Sequence, residues 1–259
     1  MRIAWERHGS GAPVLLVHGL GYARWGWEPV LPALAERFDV ILFDNRGIGE
    51  SDAPPGPYSV PELAADAVQV LDEAGVERAH VVGTSLGGMI AQEVALAYPD
   101  RVDRLVLACT TPGGPRAYPM PQVTVDLIGR RATLEPSVAL RLFVENALAR
   151  TTVETRPEIV ERILAHRIAT TQAPTAWAAQ AAAGATFEAL DRLGGLAAPT
   201  LVQTGTDDVV VDPHNARLLC ELIPGSRLET FDGCGHLFFW EEPERFVASL
   251  AAFLEDRVR

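Results

Sequence analysis

The 259-residue chain contains no lysine; all 22 of its basic side chains are arginine. Without lysine there is no Schiff-base amine, which excludes pyridoxal chemistry of the usual kind. An ordinary P-loop is excluded too, because its phosphate-binding lysine is missing. Cysteine is scarce. Cys109, Cys220 and Cys234 are odd in number and lack C-x-x-C spacing, which predicts a reduced, cytoplasmic protein. Positive charge is in deficit: 22 arginines face 34 acids, a formal charge of −12. Such a surface repels phosphate backbones and anionic lipid, so neither nucleic acid nor a membrane is an expected partner. No apolar run approaches the ~20 residues that span a bilayer. The Ala-rich stretch at 176–185 is broken by Trp177, Gln180 and Gly184, and reads as a soluble helix. The N-terminus, from Met1 to Arg7, has no apolar core of a secretory signal. No His, Cys or carboxylate cluster has metal-ligand spacing, so neither metal nor cofactor is expected.

What is present describes a folded enzyme-sized globule. Hydrophobic residues make up 48% and charged residues 22%, both ordinary for a folded domain. Short apolar runs at 14–17, 40–43, 80–82, 105–108 and 201–202 read as strands covered on both faces, with a weaker strand at 227–231. Helical patterns alternate with them. Ser59 and Glu62 have capping-box spacing, and Leu63, Ala67, Val70, Leu71 and Ala74 keep one apolar face before Gly75. Asp212-Pro213 and Glu242-Pro243 open two more helices. Alternating strand and helix predicts a three-layer α/β fold with a mostly parallel sheet. Residues 113–195 break the rhythm with helical periodicity and no strand. They read as a helical cap inserted between two core segments, 1–112 and 196–259.

The chemistry concentrates at Gly83-Thr84-Ser85-Leu86-Gly87-Gly88, between the strand at 80–82 and a helical pattern that follows. That context is a nucleophile elbow, in which a turn too sharp for side chains on either side exposes the Ser85 hydroxyl. A serine needs a base, and the base needs an orienting acid. Of the six histidines, His8 lacks a motif, His80 lies in a strand, and His166 and His214 lie on helices. His236 follows Gly233-Cys234-Gly235 in the loop after the last strand and is the expected base. Thr204-Gly205-Thr206-Asp207-Asp208 ends another strand; Asp208 is the expected acid and Asp207 the alternative. Val17-His18-Gly19-Leu20-Gly21 supplies a glycine-rich turn after the first apolar strand. The amides of Leu20 and Leu86 are the expected oxyanion donors. Trp25, Trp177, Phe143 and Phe238 are candidate substrate-binding residues, each in competition with plain core packing.

At these residues the chain resembles the α/β-hydrolase superfamily over nearly its whole length. The order Ser85, Asp208, His236 is that of the superfamily. The segment from Asp44 through Arg46, Gly47 and Gly49 to Ser51 is similar to its D-x-R-G-x-G-x-S segment. So are Pro199 to Val202 before the acid, and Gly235-His236 followed by Glu242-Pro243-Glu244. The resemblance places the acid at the end of a G-x-x-D run, hence at Asp208, and implies that Asp44 and Arg46 shape the loop. It points to capped carboxylesterases and oxoadipate enol-lactonase-like enzymes, acting on a small ester or lactone without a cofactor. Position 85 is serine, unlike the aspartate of dehalogenases and epoxide hydrolases of this fold. The alternatives are a carbon–carbon (meta-cleavage product) hydrolase, a cofactor-free perhydrolase or haloperoxidase, and a signalling protein that binds a small molecule and retains the triad.

Overall fold

The computed structural model describes residues 1–170 and 172–256. Its sheet has seven strands: β1 (Trp5–Gly9), β2 (Ala12–Val17), β3 (Phe38–Phe43), β4 (Ala79–Thr84), β5 (Val102–Ala108), β6 (Thr200–Gly205) and β7 (Arg227–Phe231). They lie in the order β1-β3-β2-β4-β5-β6-β7, and every pairing is parallel except β1 with β3. β1 is not among the strands predicted from apolar runs. It is an edge strand whose Arg7, His8 and Gly9 are exposed, so it carries charge where a buried strand would carry valine.

The two faces of the sheet follow from strand alternation. Leu15, Val17, Ile41, Phe43, Val81, Leu105 and Leu107 face one core. There they meet α2 (Val60–Glu73), α3 (Leu86–Ala97) and α9 (His214–Leu222). Val14, Leu16, Val40, Leu42, Val82, Val106 and Ala108 face the other core. That face is covered by α1 (Leu31–Ala35), α10 (Phe238–Glu241) and α11 (Pro243–Leu254). The result is the expected three-layer α/β architecture. The predicted capping box is present: Ser59 Oγ accepts the Glu62 amide, and Glu62 Oε2 accepts the Ser59 amide at 2.9 Å.

Between β5 and β6 the chain forms α4 (Gln122–Arg130), α5 (Pro136–Asn146), α6 (Arg150–Thr155), α7 (Pro157–Ala169) and α8 (Pro174–Ala185). The two ends of this insertion meet. Gly113 bridges Glu188, and the Ala189 amide donates to the Pro112 carbonyl at 2.9 Å. The insertion is fastened to the strand layer by polar contacts. Gln180 Nε2 donates to the Arg46 carbonyl and Arg167 Nη1 to the Gly21 carbonyl, each at 2.6 Å. Among the described residues no helix is long and apolar enough to cross a membrane.

Leu16 is fully buried in the central strands. Leu16→Ala is expected to lower the unfolding free energy by about 2–5 kcal/mol, because the cavity cannot close between two packed layers. Urea titration followed by circular dichroism measures this; a loss below about 0.5 kcal/mol would contradict the packing described.

Candidate active site

The C-terminal ends of the parallel strands form one edge, and the chemistry-bearing loops leave from it. β4 runs directly into Ser85, which caps α3 with φ 55° and ψ −120°. A non-glycine residue at positive φ is strained, and its neighbours hold it there. The Ser85 amide donates to the Ala108 carbonyl at 2.9 Å, and Thr110 Oγ1 donates to the Ser85 carbonyl at 2.7 Å. Glycines flank the turn for steric reasons. A Cβ on Gly83 would sit 2.2 Å from the Gly87 carbonyl oxygen, and one on Gly87 would sit 2.1 Å from that of Val17.

The expected acid, Asp208, and the expected base, His236, meet. His236 Nδ1 lies 2.7 Å from Asp208 Oδ2 in a pair that is almost wholly buried. The other carboxylate oxygen, Oδ1, accepts the amides of Val210 at 2.7 Å and Val211 at 2.9 Å. Three donors therefore fix the carboxylate, and the carboxylate fixes the imidazole, whose Nε2 makes no hydrogen bond among the described residues. Asp207 is exposed, and among the described residues its carboxylate hydrogen-bonds only the neighbouring Thr206 hydroxyl. The other imidazoles are occupied elsewhere. His166 binds Glu28 and stacks on Trp25, His214 binds Asp212, and His8 pairs with Glu6 on exposed β1. Burial of His80 lowers its pKa. The Ser85 hydroxyl makes no hydrogen bond among the described residues; such bonds commonly tighten only with substrate in place.

The turn after β2 abuts the serine. A Cβ on Gly19 would lie 2.9 Å from Ser85 Cβ and 3.4 Å from its Oγ. His18 organises this turn. Its Nδ1 accepts the Gly19 amide at 2.7 Å, so that amide is already engaged. The amides of Leu20 and Leu86 donate to no acceptor among the described residues. Asn45 Nδ2 holds the His18 carbonyl at 2.9 Å, and Asp44 accepts the amides of Arg24 and Glu50. Arg46 is bound to Asp66 by two hydrogen bonds. Asp44 and Arg46 thus shape the loop.

Of the candidate substrate-binding residues, Phe238 is corrected. It is fully buried, stacked on Phe231 at 4.4 Å and edge-on to Phe246, so it belongs to the core beneath the sheet. Trp25 is half-buried at the seam with α7, stacked on His166 with centroids 4.9 Å apart. Trp177 and Phe143 lie within the insertion, with the Arg131 guanidinium 4.5 Å and 6.0 Å from their rings. α8, which carries Trp177, approaches the site: a Cβ on its Gly184 would be 3.2 Å from Leu86 Cδ1. Two cavities of about 500 and 480 Å³ lie elsewhere in and beside the insertion, and neither is lined by Ser85 or His236. Burial pushes the Cys234 thiol up to about 12, so it is inert at neutral pH. Among the described residues no cluster of His, Cys, Asp and Glu could hold a metal ion. Sequence reasoning passed over Thr110 and the buried Glu241. The signal for Glu241 was an acid set directly after the apolar run 237–240.

A mostly parallel sheet that delivers a strained serine turn, a buried Asp–His pair and amides unpaired among the described residues to one edge defines the class of α/β hydrolases. A sequence model of the alpha/beta hydrolase fold matches residues 12–243, and the chain belongs to that family. The provisionally named carbamate hydrolase RutD of Azorhizobium caulinodans is 33% identical over 260 residues, covering 96% of this chain and 93% of its own. The 2-hydroxy-6-oxononadienedioate/2-hydroxy-6-oxononatrienedioate hydrolase of Cupriavidus pinatubonensis is 34% identical, over 98% of this chain and 90% of its own. The thermophilic esterase of Thermogutta terrifontis superposes with a TM-score of 0.85 at 29% identity, over 98% of this chain and 93% of that one.

Burial lowers the His18 pKa from 6.5 to about 3, helped by the nearby His236 and Arg167. The unfolded chain therefore binds a proton that the folded one refuses. Stability is lost as pH falls from 6.5 toward 3, with a slope approaching about 1.4 kcal/mol per pH unit from this group. The His18 ring signal in an NMR titration is expected to stay constant between about pH 8 and 5. A midpoint near 6.5 would contradict its neutral role beneath the turn.

Proposed function

We propose that the protein hydrolyses a small carboxylic ester or lactone through an acyl-enzyme on Ser85. The observation that carries this is the buried His236–Asp208 pair, 2.7 Å apart, on the same sheet edge as the strained Ser85 turn. Ser85 Oγ attacks the carbonyl carbon, and its proton passes to His236 Nε2. Asp208 holds the imidazole in the tautomer that accepts there and stabilises the imidazolium. The carbonyl oxygen becomes an oxyanion between the amides of Leu20 and Leu86, which have no competing partner among the described residues. The leaving alkoxide takes the proton from His236. Water, deprotonated by the same imidazole, then attacks the acyl carbon and frees Ser85.

The insertion acts as the cap in this reading. α8 packs against Leu86, and in this reading the insertion brings apolar side chains such as Trp177 over the serine. The similar proteins are named for different substrates, a carbamate in one and 2-hydroxy-6-oxononadienedioate or 2-hydroxy-6-oxononatrienedioate in another. A panel of ester, lactone, carbamate and vinylogous diketone substrates therefore ranks kcat/KM and fixes the bond class; fastest turnover on the diketone would replace the ester reading.

With p-nitrophenyl acetate, Ser85→Ala is expected to fall to background. Asp208→Asn should lower kcat by roughly 10³–10⁴-fold, because the imidazole loses its orienting carboxylate. Asp207→Asn should stay within about threefold of the parent, since surface substitutions away from the site matter little. If Asp207→Asn is the inactive variant, the assignment of the acid is wrong.

A further inference from the structure

Glu241 is a buried carboxylate that the mechanism above does not use. It ends the single-turn α10, five residues beyond the base, and is 2% exposed. Its Oε1 accepts the Gly235 amide at 2.8 Å, the residue next to His236. The same oxygen accepts the Ala149 amide at 3.2 Å, and Oε2 accepts the Thr152 hydroxyl at 2.5 Å. Gly235 belongs to the base loop; Ala149 and Thr152 belong to the insertion, at the start of α6 and within it. Arg156, from the end of α6, donates Nη1 to the Glu241 carbonyl and Nη2 to the Thr152 hydroxyl. No arginine reaches the carboxylate oxygens among the described residues.

The backbone around this carboxylate is packed without slack. A Cβ on Gly235 would lie 2.6 Å from the Ala149 nitrogen. A Cβ on Gly205, in the strand leading to Asp208, would lie 2.2 Å from the Gly235 carbonyl oxygen. The Leu237 amide, on the other side of His236, donates to the Ala147 carbonyl at 2.9 Å. The base is therefore flanked on both sides by residues bonded to the insertion, and on the Gly235 side the bond runs through Glu241. A buried carboxylate is costly to desolvate and is kept only where several donors converge on it. Here the donors come from two separate segments of the chain.

We propose that Glu241 is a positioning residue that locks the His236 loop to the insertion, so that the placement of the base depends on the seating of the cap. This rests on the reading of His236 as the general base. Loss of the carboxylate leaves the Gly235 and Ala149 amides unpaired in a dry site. The loop then shifts to recover partners, and a misplacement of about 1 Å can cost on the order of 10²-fold in rate. Glutamine keeps one carbonyl oxygen for the two amides, and the Thr152 hydroxyl can reverse to accept from its amide nitrogen. Glu241→Gln is thus the conservative rescue.

The test compares wild type, Glu241→Ala, Glu241→Gln and Thr152→Val. Each is measured for kcat and KM on p-nitrophenyl acetate, for thermal unfolding, and for the low-field proton resonance of His236 Nδ1–H. Glu241→Ala is expected to lose roughly 30–100-fold in kcat with KM within about twofold. Glu241→Gln should recover to within about fivefold, and Thr152→Val, which removes the hydroxyl bond on the insertion side and leaves the Ala149 amide bond, should lose about three- to tenfold. The low-field resonance should shift or broaden in Thr152→Val. A folded Glu241→Ala with wild-type kcat overturns the proposal. If Glu241→Ala does not fold, Thr152→Val decides: unchanged kcat and an unchanged resonance overturn it. If wild type neither turns over nor reacts with a fluorophosphonate at Ser85, the hydrolase reading fails instead. The resonance in Thr152→Val then still reports whether Glu241 holds the base loop.

Discussion

Ser85 is held at φ 55°, ψ −120°, a backbone conformation that a residue with a side chain does not adopt by preference. Much of the local design is what this one turn requires. The strand before it and the helix after it are clamped by hydrogen bonds from β5 and from Thr110 to its two peptide groups. Glycine is needed at 83, 87 and 88 because β2, α3 and Thr110 pass within contact of where a side chain would begin. Glycine is needed at 19 because the facing turn rests on the serine itself. The strain is local, and the surrounding sheet, buried on both faces, is stable enough to sustain it.

Steric demands of this kind are legible in a sequence because only glycine meets them. That is why Ser85 and its neighbours could be read, and why the run from Gly205 to Asp208 and the Gly235-His236 pair stood out with them. The capping box at Ser59 was legible for a similar reason: its two hydrogen bonds are local. What escaped was set by distant contacts. β1 carries charge because it lies at the edge, and a charged run reads as a loop until its partner is known. Phe238 could be placed beside the histidine but not on one side of the chain or the other. The structure turns it onto Phe231 and into the core. Glu241 takes its meaning from Ala149 and Thr152, 92 and 89 residues away, and no local pattern encodes that.

Asp208 and His236 form a second unit with its own logic. Asp208 is oriented by two amides of its own loop, so the pair depends on backbone rather than on another side chain. The His236 loop is tied to the insertion on both sides, at Gly235 through Glu241 and at Leu237 through the Ala147 carbonyl. A change in the insertion can in this way reach the His236 loop while the sheet edge stays the same. Similar proteins are named as an esterase, a carbamate hydrolase and a 2-hydroxy-6-oxononadienedioate/2-hydroxy-6-oxononatrienedioate hydrolase, so one fold serves several substrates.

The account turns on a covalent bond to Ser85. Rapid acid quenching of the enzyme with p-nitrophenyl acetate, followed by intact mass and peptide mapping, looks for that bond directly. The account predicts one acetyl group per chain, on the peptide that contains Ser85, appearing before steady state and absent from Ser85→Ala. Turnover with no acyl group on that peptide, or with the group on another residue, would contradict it.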